Sequence, residues 1–503
     1  MLIPFTIPPG IYRNGTEYQS AGRYYASNLI RWFENTLRPI GGWAKRSYQS
    51  GGSTVYQQVT GKARGMFSWK TNTGVKYYVI GTSSKLYIGQ SGSSALVDIT
   101  PSSLTTGYDD TQTVSGYGGG TYGTWTYGTA RPDSSVVVDA ATWSFDAFGE
   151  ILVAVSSSDG RLLIWDLNTA NDATTITPSA GTVPTGNVGV IVTAERFVMC
   201  LGANSVPRRV YWSSQETYNN WSIAATTTAG DFDLTTNGRI MLAKNVRGQV
   251  LILTSNDAHT GTYVGPPFVY GFDKVGSACG AISANCCAVA DTFAVWMSHD
   301  GFWTYDGYVK NLPCDVSDYI YKDINTSQLA KVAAVPNSKY FEIWWFYPSA
   351  GSTENDSYVV WNYKEGHWTI GKIARTTGID KDVFPNPIFV GADGYVYDHE
   401  TGFNYDSVTP YAESGPVEIG SGQNTVIVRE MIPDEKTQGD VQARFSTRFY
   451  PNDTEYNYGP YSMNSPTSVR FTGRQIAMKI EGVQATDWRV GNIRFDGVIG
   501  GER

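Results

Sequence analysis

Residues 293–307 read FAVWMSHDGFWTYDG. An apolar run, Phe293–Met297, meets a polar turn at His299-Asp300-Gly301, and a second run, Phe302–Tyr305, leads into another Asp-Gly pair. Asp-Gly suits a hairpin turn because it accepts positive φ, and the alternation that follows buries one face of a strand. The pattern recurs as Asp159-Gly160-Arg161-Leu162-Leu163-Ile164-Trp165-Asp166 after ILVAV, and as Asp393-Gly394-Tyr395-Val396-Tyr397-Asp398 after IFVGA. A degraded copy, Ser83-Ser84-Lys85-Leu86-Tyr87-Ile88, follows VIG. The starts at 159, 300 and 393 lie 141 and 93 residues apart. Those intervals are about three and two times 47, a period in the range of a four-stranded propeller blade, so the visible copies skip blades. Residues 360–369, VWNYKEGHWT, add one more strand–turn–strand, with Trp361 and Trp368 available for packing between blades.

Composition agrees. The 503 residues are 14% aromatic and only 17% charged, with 54 glycines. This excludes a coiled coil or a disordered acidic chain and favours short strands with tight turns. Helical periodicity is nearly confined to residues 317–332, with Ile320, Ile324 and Leu329 roughly on one face. The expected fold is therefore all-β: a β-propeller over 61–410, preceded by a basic arm and first strands over 1–60. Asp-Gly hairpins stop after Tyr411 until Asp496-Gly497, and 411–503 reads as a separate C-terminal β-sandwich or barrel. Residues 89–135 interrupt the blades. This Gly/Ser/Thr/Tyr-rich insertion has no aliphatic run with which to build a core. It is expected to lie on a neighbouring subunit, with Tyr117, Tyr122 and Tyr127 as contacts, since tyrosine suits interfaces.

Net charge is −8, unevenly placed. Residues 1–70 hold nine basic against two acidic residues, a net +7, which leaves −15 for 71–503. An acidic body disfavours a nucleic-acid binder, which clusters Lys and Arg on phosphates. A basic arm of this kind docks onto an acidic partner or covers its own domain more often than it reads nucleic acid.

Chemistry is sparse. No G-x-S-x-G, Walker loop, H-E-x-x-H or EF-hand loop occurs. His259, His299, His367 and His399 are scattered and read as turn or core residues rather than bases or ligands. Five cysteines, Cys200, Cys279, Cys286, Cys287 and Cys314, include no C-x-x-C and read as reduced, mostly buried thiols. No catalytic residue, metal ligand or cofactor is expected. Ser298-His299-Asp300-Gly301-Phe302-Trp303 falls one residue short of a sialidase-type Asp-box and lacks its Thr, so it reads as a generic blade turn. The N-terminus, with Pro4, Pro8 and Pro9, lacks the basic n-region of a signal peptide. No apolar run is long enough for a transmembrane helix.

Ile11-Tyr12-Arg13-Asn14-Gly15-Thr16-Glu17-Tyr18, Gly22-Arg23-Tyr24-Tyr25, Asn28-Leu29-Ile30-Arg31 and Leu37-Arg38-Pro39-Ile40-Gly41-Gly42-Trp43 resemble the start of a group of tailed-phage virion proteins. The middle of the chain is similar to the tail hub or nozzle proteins of short-tailed phages, also called packaged-DNA stabilisation or tail tubular B proteins. That likeness runs through Glu195-Arg196-Phe197-Val198, Tyr211-Trp212-Ser213, Thr217-Tyr218-Asn219-Asn220-Trp221, Gly230-Asp231-Phe232-Asp233, Val250–Thr254 and the DGFWTYDG hairpin. It covers roughly residues 10–400, most specifically at the N-terminus, and leaves 411–503 unplaced.

The resemblance implies a non-enzymatic propeller subunit of a hexameric ring below the portal and its adaptor. Such a ring retains packaged DNA and later passes it through the lumen without specific binding. It sits in the virion tail beside fibres, spikes or a needle, after assembly in the host cytoplasm. Adaptor contacts are then expected from Arg13, Arg23, Arg31 and Arg38, with Tyr12, Trp32 and Trp43 as apolar anchors, although Trp32 and Trp43 read equally well as core of the first strand pair. Two other readings stand beside it: a carbohydrate-binding or glycan-hydrolysing tail propeller, and a structural protein held on DNA by the basic arm.

Overall fold

The computed structural model describes residues 2–91, 94–114, 136–419 and 424–502. Among the described residues, seven four-stranded antiparallel sheets follow one another along the chain. They span residues 63–98, 143–175, 189–233, 240–277, 287–312, 333–372 and 375–399. Their first strands line a common axis. Ala63–Lys70 touches Trp143–Phe148, contact passes from each innermost strand to the next, and Arg375–Ile379 returns to Ala63–Lys70. The molecule is a closed seven-bladed β-propeller.

The second strand of a blade lies between two neighbouring blades, so both its faces are buried and it reads as a continuous apolar run. Val198–Leu201, Glu342–Tyr347 and Ile388–Gly391 are buried along their whole length. Ile388–Gly391 precedes an Asp-Gly turn, as do Ile151–Ser156 and Phe293–Met297, which are buried beyond their first residue. Asp159-Gly160, Asp300-Gly301 and Asp393-Gly394 join second and third strands of the second, fifth and seventh blades. Their separations are thus three blades and two blades, as the period requires. Gly160 and Gly394 adopt φ of +67° and +79°, the conformation expected of them, whereas Gly301 sits in a four-residue loop without it. The candidate helix resolves into Ser317–Asp323 and the 3-10 segment Thr326–Lys331 between the fifth and sixth blades.

The seventh blade draws its outermost strand from the far end of the sequence. Trp43–Lys45 pairs with Val396–His399, placing Trp43 opposite His399 and Lys45 opposite Tyr397. This closure passes the chain through a narrow seam. A Cβ on Gly41 would lie 2.4 Å from the Glu400 backbone, and one on Gly42 2.5 Å from the Asn404 nitrogen. Close approach of two backbones requires glycine here, which accounts for the Gly41-Gly42 pair.

The expected division into an N-terminal arm and a C-terminal domain is corrected by the strand pairing. Leu2–Phe5 and Thr36–Pro39 pair with the last strand, Val490–Glu502, and Tyr24–Asn28 pairs with Tyr411–Ser414. Two six-stranded sheets result, each built from both ends of the chain. They form one sandwich, with the propeller inserted between its N-terminal and C-terminal strands. Their core is Phe5, Trp32, Met431, Phe445, Phe471, Trp488 and Phe495, all buried. That core runs without a break into Trp345, Trp368 and Phe302 of the fifth and sixth blades. Trp361 and Trp368, opposed across one hairpin, stack at 6.2 Å within it.

Candidate partner interface

The basic N-terminal segment turns inward. Arg31 is 3% exposed; its Nε donates to Glu342 Oε1 at 2.8 Å and its Nη1 to Glu400 Oε2 at 2.9 Å. Its guanidinium lies 3.7 Å from the Tyr340 ring centroid. Burial opposes its charge, but the two carboxylates outweigh that cost and raise its pKa. Glu400 also accepts the Gly41 N–H at 3.0 Å and the Asn337 side chain at 3.0 Å. Burial opposes its ionised form too, but Arg31 and the Gly41 N–H hold its carboxyl below the usual range.

Arg23 pairs with Asp315 at 3.3 Å and lies over the half-buried Tyr12. Arg13 stacks over Tyr25 and Tyr319, at 4.6 and 4.1 Å. Arg38 covers Phe33 at 4.4 Å, and burial lowers its pKa. Arg46 and Arg64 continue the series with Asp398 and Glu354. Of the two dispositions expected for a basic arm, these contacts are those of one that covers its own domain.

Two of the three aromatic anchors change role accordingly. Trp32 is 2% exposed and packs against Tyr24 and His367 within the core that joins the sandwich to the sixth blade. Trp43 is 7% exposed, stacks on His399 at 5.5 Å and donates through Nε1 to Asp406 at 2.7 Å. Arg31, Trp32 and Trp43 are therefore core residues rather than an adaptor surface, because each is buried against partners of its own chain. Tyr12, Arg13, Arg23 and Arg38 keep partial exposure at the rim of that seam.

His367 lies under the same seam. It is buried, neither ring nitrogen has a hydrogen-bond partner among the described residues, the Glu365 carboxylate stands 3.8 Å from its Nε2, and a Cβ on Gly10 would approach its Cβ to 2.7 Å. Burial, with Arg23 nearby, lowers its pKa to about 4. His399 accepts the Arg375 Nε–H at 2.8 Å, a bond that requires an unprotonated Nε2, and burial with this neighbour lowers its pKa as well.

Tyr117, Tyr122 and Tyr127 lie outside the described residues. The described ends of the insertion rest on the chain's own propeller. Gln112–Val114 pairs with Val136–Val138 as a hairpin. At its root the Thr111 N–H donates to Gln328 Oε1, and Gln328 Nε2 returns a bond to the Thr111 carbonyl, each at 2.9 Å. The Lys331 ammonium, fully buried, is held by Asp110 and the Thr353 carbonyl. The strap thus reaches from the link between the first two blades across to the link between the fifth and sixth. Beneath it lies a cavity of about 520 Å³ with Val188, Ile240, Met241, Ile282 and Leu329 in its wall. It opens into the axial channel, sharing Thr142, Val188, Met241 and Ala284 with a further space of about 270 Å³.

A second recess, about 780 Å³ and polar, spans the third to fifth blades on that face and includes Arg208, Asp233, Asp257, Lys274, His299 and Asp300. Asp257 at its base is engaged by Lys274 at 2.8 Å, Thr236 at 2.8 Å and His259 at 3.2 Å. Burial opposes its ionised form, but these bonds hold its carboxyl below the usual range. Among the described residues, no group of three or more His, Cys, Asp and Glu side chains has a metal-binding arrangement. Among the same residues no helix is long and apolar enough to cross a membrane.

Comparison with known proteins finds no matching family model and no matching curated protein. Solved structures do align. Virginiamycin B lyase from Staphylococcus aureus is 7% identical over 67% of this chain and 94% of its own, with a TM-score of 0.40. YCF48 in complex with a peptide is 9% identical over 73% and 99%, with a TM-score of 0.37. The extracellular domain of a hybrid two-component system from B. thetaiotaomicron is 12% identical over 93% and 67%, also at 0.37. These are propeller proteins.

Proposed function

We propose that this chain is a structural subunit of a tailed-phage tail hub or nozzle. In this reading it forms a ring, of six copies by analogy, that retains packaged DNA and later conducts it out. The observation that carries the reading is the N-terminal motif from Ile11 to Trp43, whose resemblance to such virion proteins is its most specific part. Its residues have consistent structural work. Ile11, Arg23, Leu29, Arg31, Gly41 and Trp43 seat the sandwich on the sixth blade and close the seventh. A motif of this kind marks a scaffold.

The physical properties fit a conduit. The propeller's own axis encloses two small adjoining spaces of about 520 and 270 Å³, so DNA passes through the space enclosed by neighbouring copies rather than along the blades. The net charge of −15 over residues 71–503 repels phosphates at that surface, which favours sliding over binding. Ring contacts are heterologous, each copy presenting two different surfaces.

The test is to assemble particles without the protein. Heads that fill and then lose their DNA support the proposal. Particles that stay full and fail only to adsorb overturn it. A glycan-acting propeller is the second reading, favoured by the carboxylates of Asp233, Asp257 and Asp300 around one recess. Cleavage of a host polysaccharide by the purified protein, lost on Asp300→Asn, is the result it requires.

A further inference from the structure

Two of the chain's four histidines lie under one short stretch of the N-terminal segment. Trp32 packs on His367 of the sixth blade at 6.0 Å, and Trp43 stacks on His399 of the seventh at 5.5 Å. Both histidines are 7% exposed. The two tryptophans belong to residues 30–45, which pass from the sandwich hairpin to the outer strand of the seventh blade. The same stretch therefore covers a buried imidazole at each of its ends.

Both sites favour the neutral ring. His399 Nε2 accepts the Arg375 Nε–H at 2.8 Å, so a proton on that nitrogen sets two donors against each other. Arg375 is itself buried beside no carboxylate partner among the described residues; its Nη1 donates to the Ala374 carbonyl, and it lies over Trp43 and Tyr397. Phe389 covers the imidazole from the second strand of the blade at 4.4 Å. The nearby carboxylates are engaged elsewhere: Asp398 by Arg46, Glu400 by Arg31, Asp393 by the Tyr397 hydroxyl and Asp406 by the Trp43 indole. Around His367 the charged groups are Arg23 and Asp315, which pair with each other, and Glu365, beyond hydrogen-bond reach at 3.8 Å. His259 is the contrast, since Asp257 stands 3.2 Å from its Nε2 to balance a proton. A charge buried without such a partner is costly.

We propose that residues 30–45 are a proton-released clasp: uptake of one proton by His367 and one by His399 lifts Trp32 and Trp43 from the sixth and seventh blades and leaves the blades folded. The clasp is shut above about pH 6.5, the ordinary histidine value. As pH falls below it, the released imidazoles bind protons that the closed ones, their pKa values lowered by burial, refuse. Each histidine then multiplies the open fraction about tenfold per pH unit, and the two together about a hundredfold.

Native-state hydrogen exchange of the full chain between about pH 6 and 5, corrected for intrinsic exchange, is the test. The amides to follow are Ile11, Leu29 and Arg46, which donate to the Trp368 carbonyl, the Tyr358 hydroxyl and the Val396 carbonyl at 2.8, 2.9 and 2.7 Å. Their protection should fall about tenfold more per pH unit in the wild type than in His367→Gln or His399→Gln, and about a hundredfold more than in the double variant. Glutamine keeps an acceptor for Arg375 and carries no titrating proton, and a slope is unaffected by a change in resting stability. Equal slopes in wild type and double variant overturn the proposal, and a slope carried by one histidine alone overturns the two-site clasp. A further comparison needs no variant. Protection of the three amides should stay below that of Val250–Thr254 in the fourth blade throughout; equal protection marks global unfolding and overturns a local release.

Discussion

Arg31 Nε and Glu342 Oε1 lie 2.8 Å apart, and each side chain is only 3% exposed. One belongs to the sandwich hairpin of Ile30–Phe33 and Thr36–Pro39, the other to the heart of the sixth blade. Glu400, at the end of the seventh blade, completes the triad. The bond thus holds three elements together: the sandwich, the sixth blade and the crossover that closes the ring. Two carboxylates facing one guanidinium are tolerated because further donors reach them, from Trp344 Nε1 to Glu342 and from Gly41 and Asn337 to Glu400.

Removing the cation leaves two buried carboxylates without it. Arg31→Ala is expected to lower unfolding stability by about 3–5 kcal/mol. Replacing Arg31, Glu342 and Glu400 together by Met, Leu and Leu should cost less than the single change, since no charge is then stranded. Urea denaturation of the two variants gives the comparison.

The glycine pair that lets the two crossover passages meet should resist substitution as firmly. Gly41→Ala and Gly42→Ala each push a methyl into backbone at 2.4–2.5 Å. Each is expected to cost about 1–3 kcal/mol, the range for overpacking. Gly51→Ala, where nothing lies within 4 Å but φ is +56°, is the contrasting case of a conformational penalty without a clash, whereas Gly41 and Gly42 have no positive φ. Melting temperatures measured side by side separate the two causes.

Acid should loosen the domain seam. His367 titrates near 6.5 when unfolded and near 4 in the native fold, because burial disfavours its charge. Between those values the unfolded chain binds the extra proton, so stability is intact above about pH 6.5 and falls as pH drops toward 4. Below both values the loss reaches about 3 kcal/mol from this group alone. The melting temperature of His367→Gln should fall less steeply than wild type over that window. Parallel profiles would mean that the imidazole does not set the slope.

The strap depends on a buried ammonium. Asp110→Asn removes the only carboxylate that the described residues place on Lys331 Nζ. Hydrogen exchange at 109–114 and 136–138 should accelerate while the blades stay protected. Lys331→Met should release the strap with a smaller loss of overall stability.

Much of the propeller was legible because its second strands are buried on both faces and their turns are tight. The period of about 47 residues counted correctly across unseen blades. Those blades were hidden because their turns differ: residues 202–208 in the third, Ser255-Asn256 without glycine in the fourth, and 348–356 in the sixth. The placement of the arginines was not legible, since Arg31 meets partners more than three hundred residues away. A signal was nevertheless present. Glu342 stands alone in the apolar run from Tyr340 to Tyr347, and a carboxylate there needs a cation that comes to it. Likewise, Arg31 sits between two apolar residues, Ile30 and Trp32, in a short strand. A sandwich or barrel was legible over 411–503, but the share taken by Leu2–Phe5, Tyr24–Asn28 and Thr36–Pro39 was not, because strand pairing between distant segments leaves no periodic trace in either.

A projection of the purified assembly down its symmetry axis, by electron microscopy, tests the proposed role most directly. A closed ring of identical subunits around an open bore wide enough for duplex DNA is the result expected of a conduit. A population of single propellers at every concentration, or a ring whose centre is filled, would contradict it.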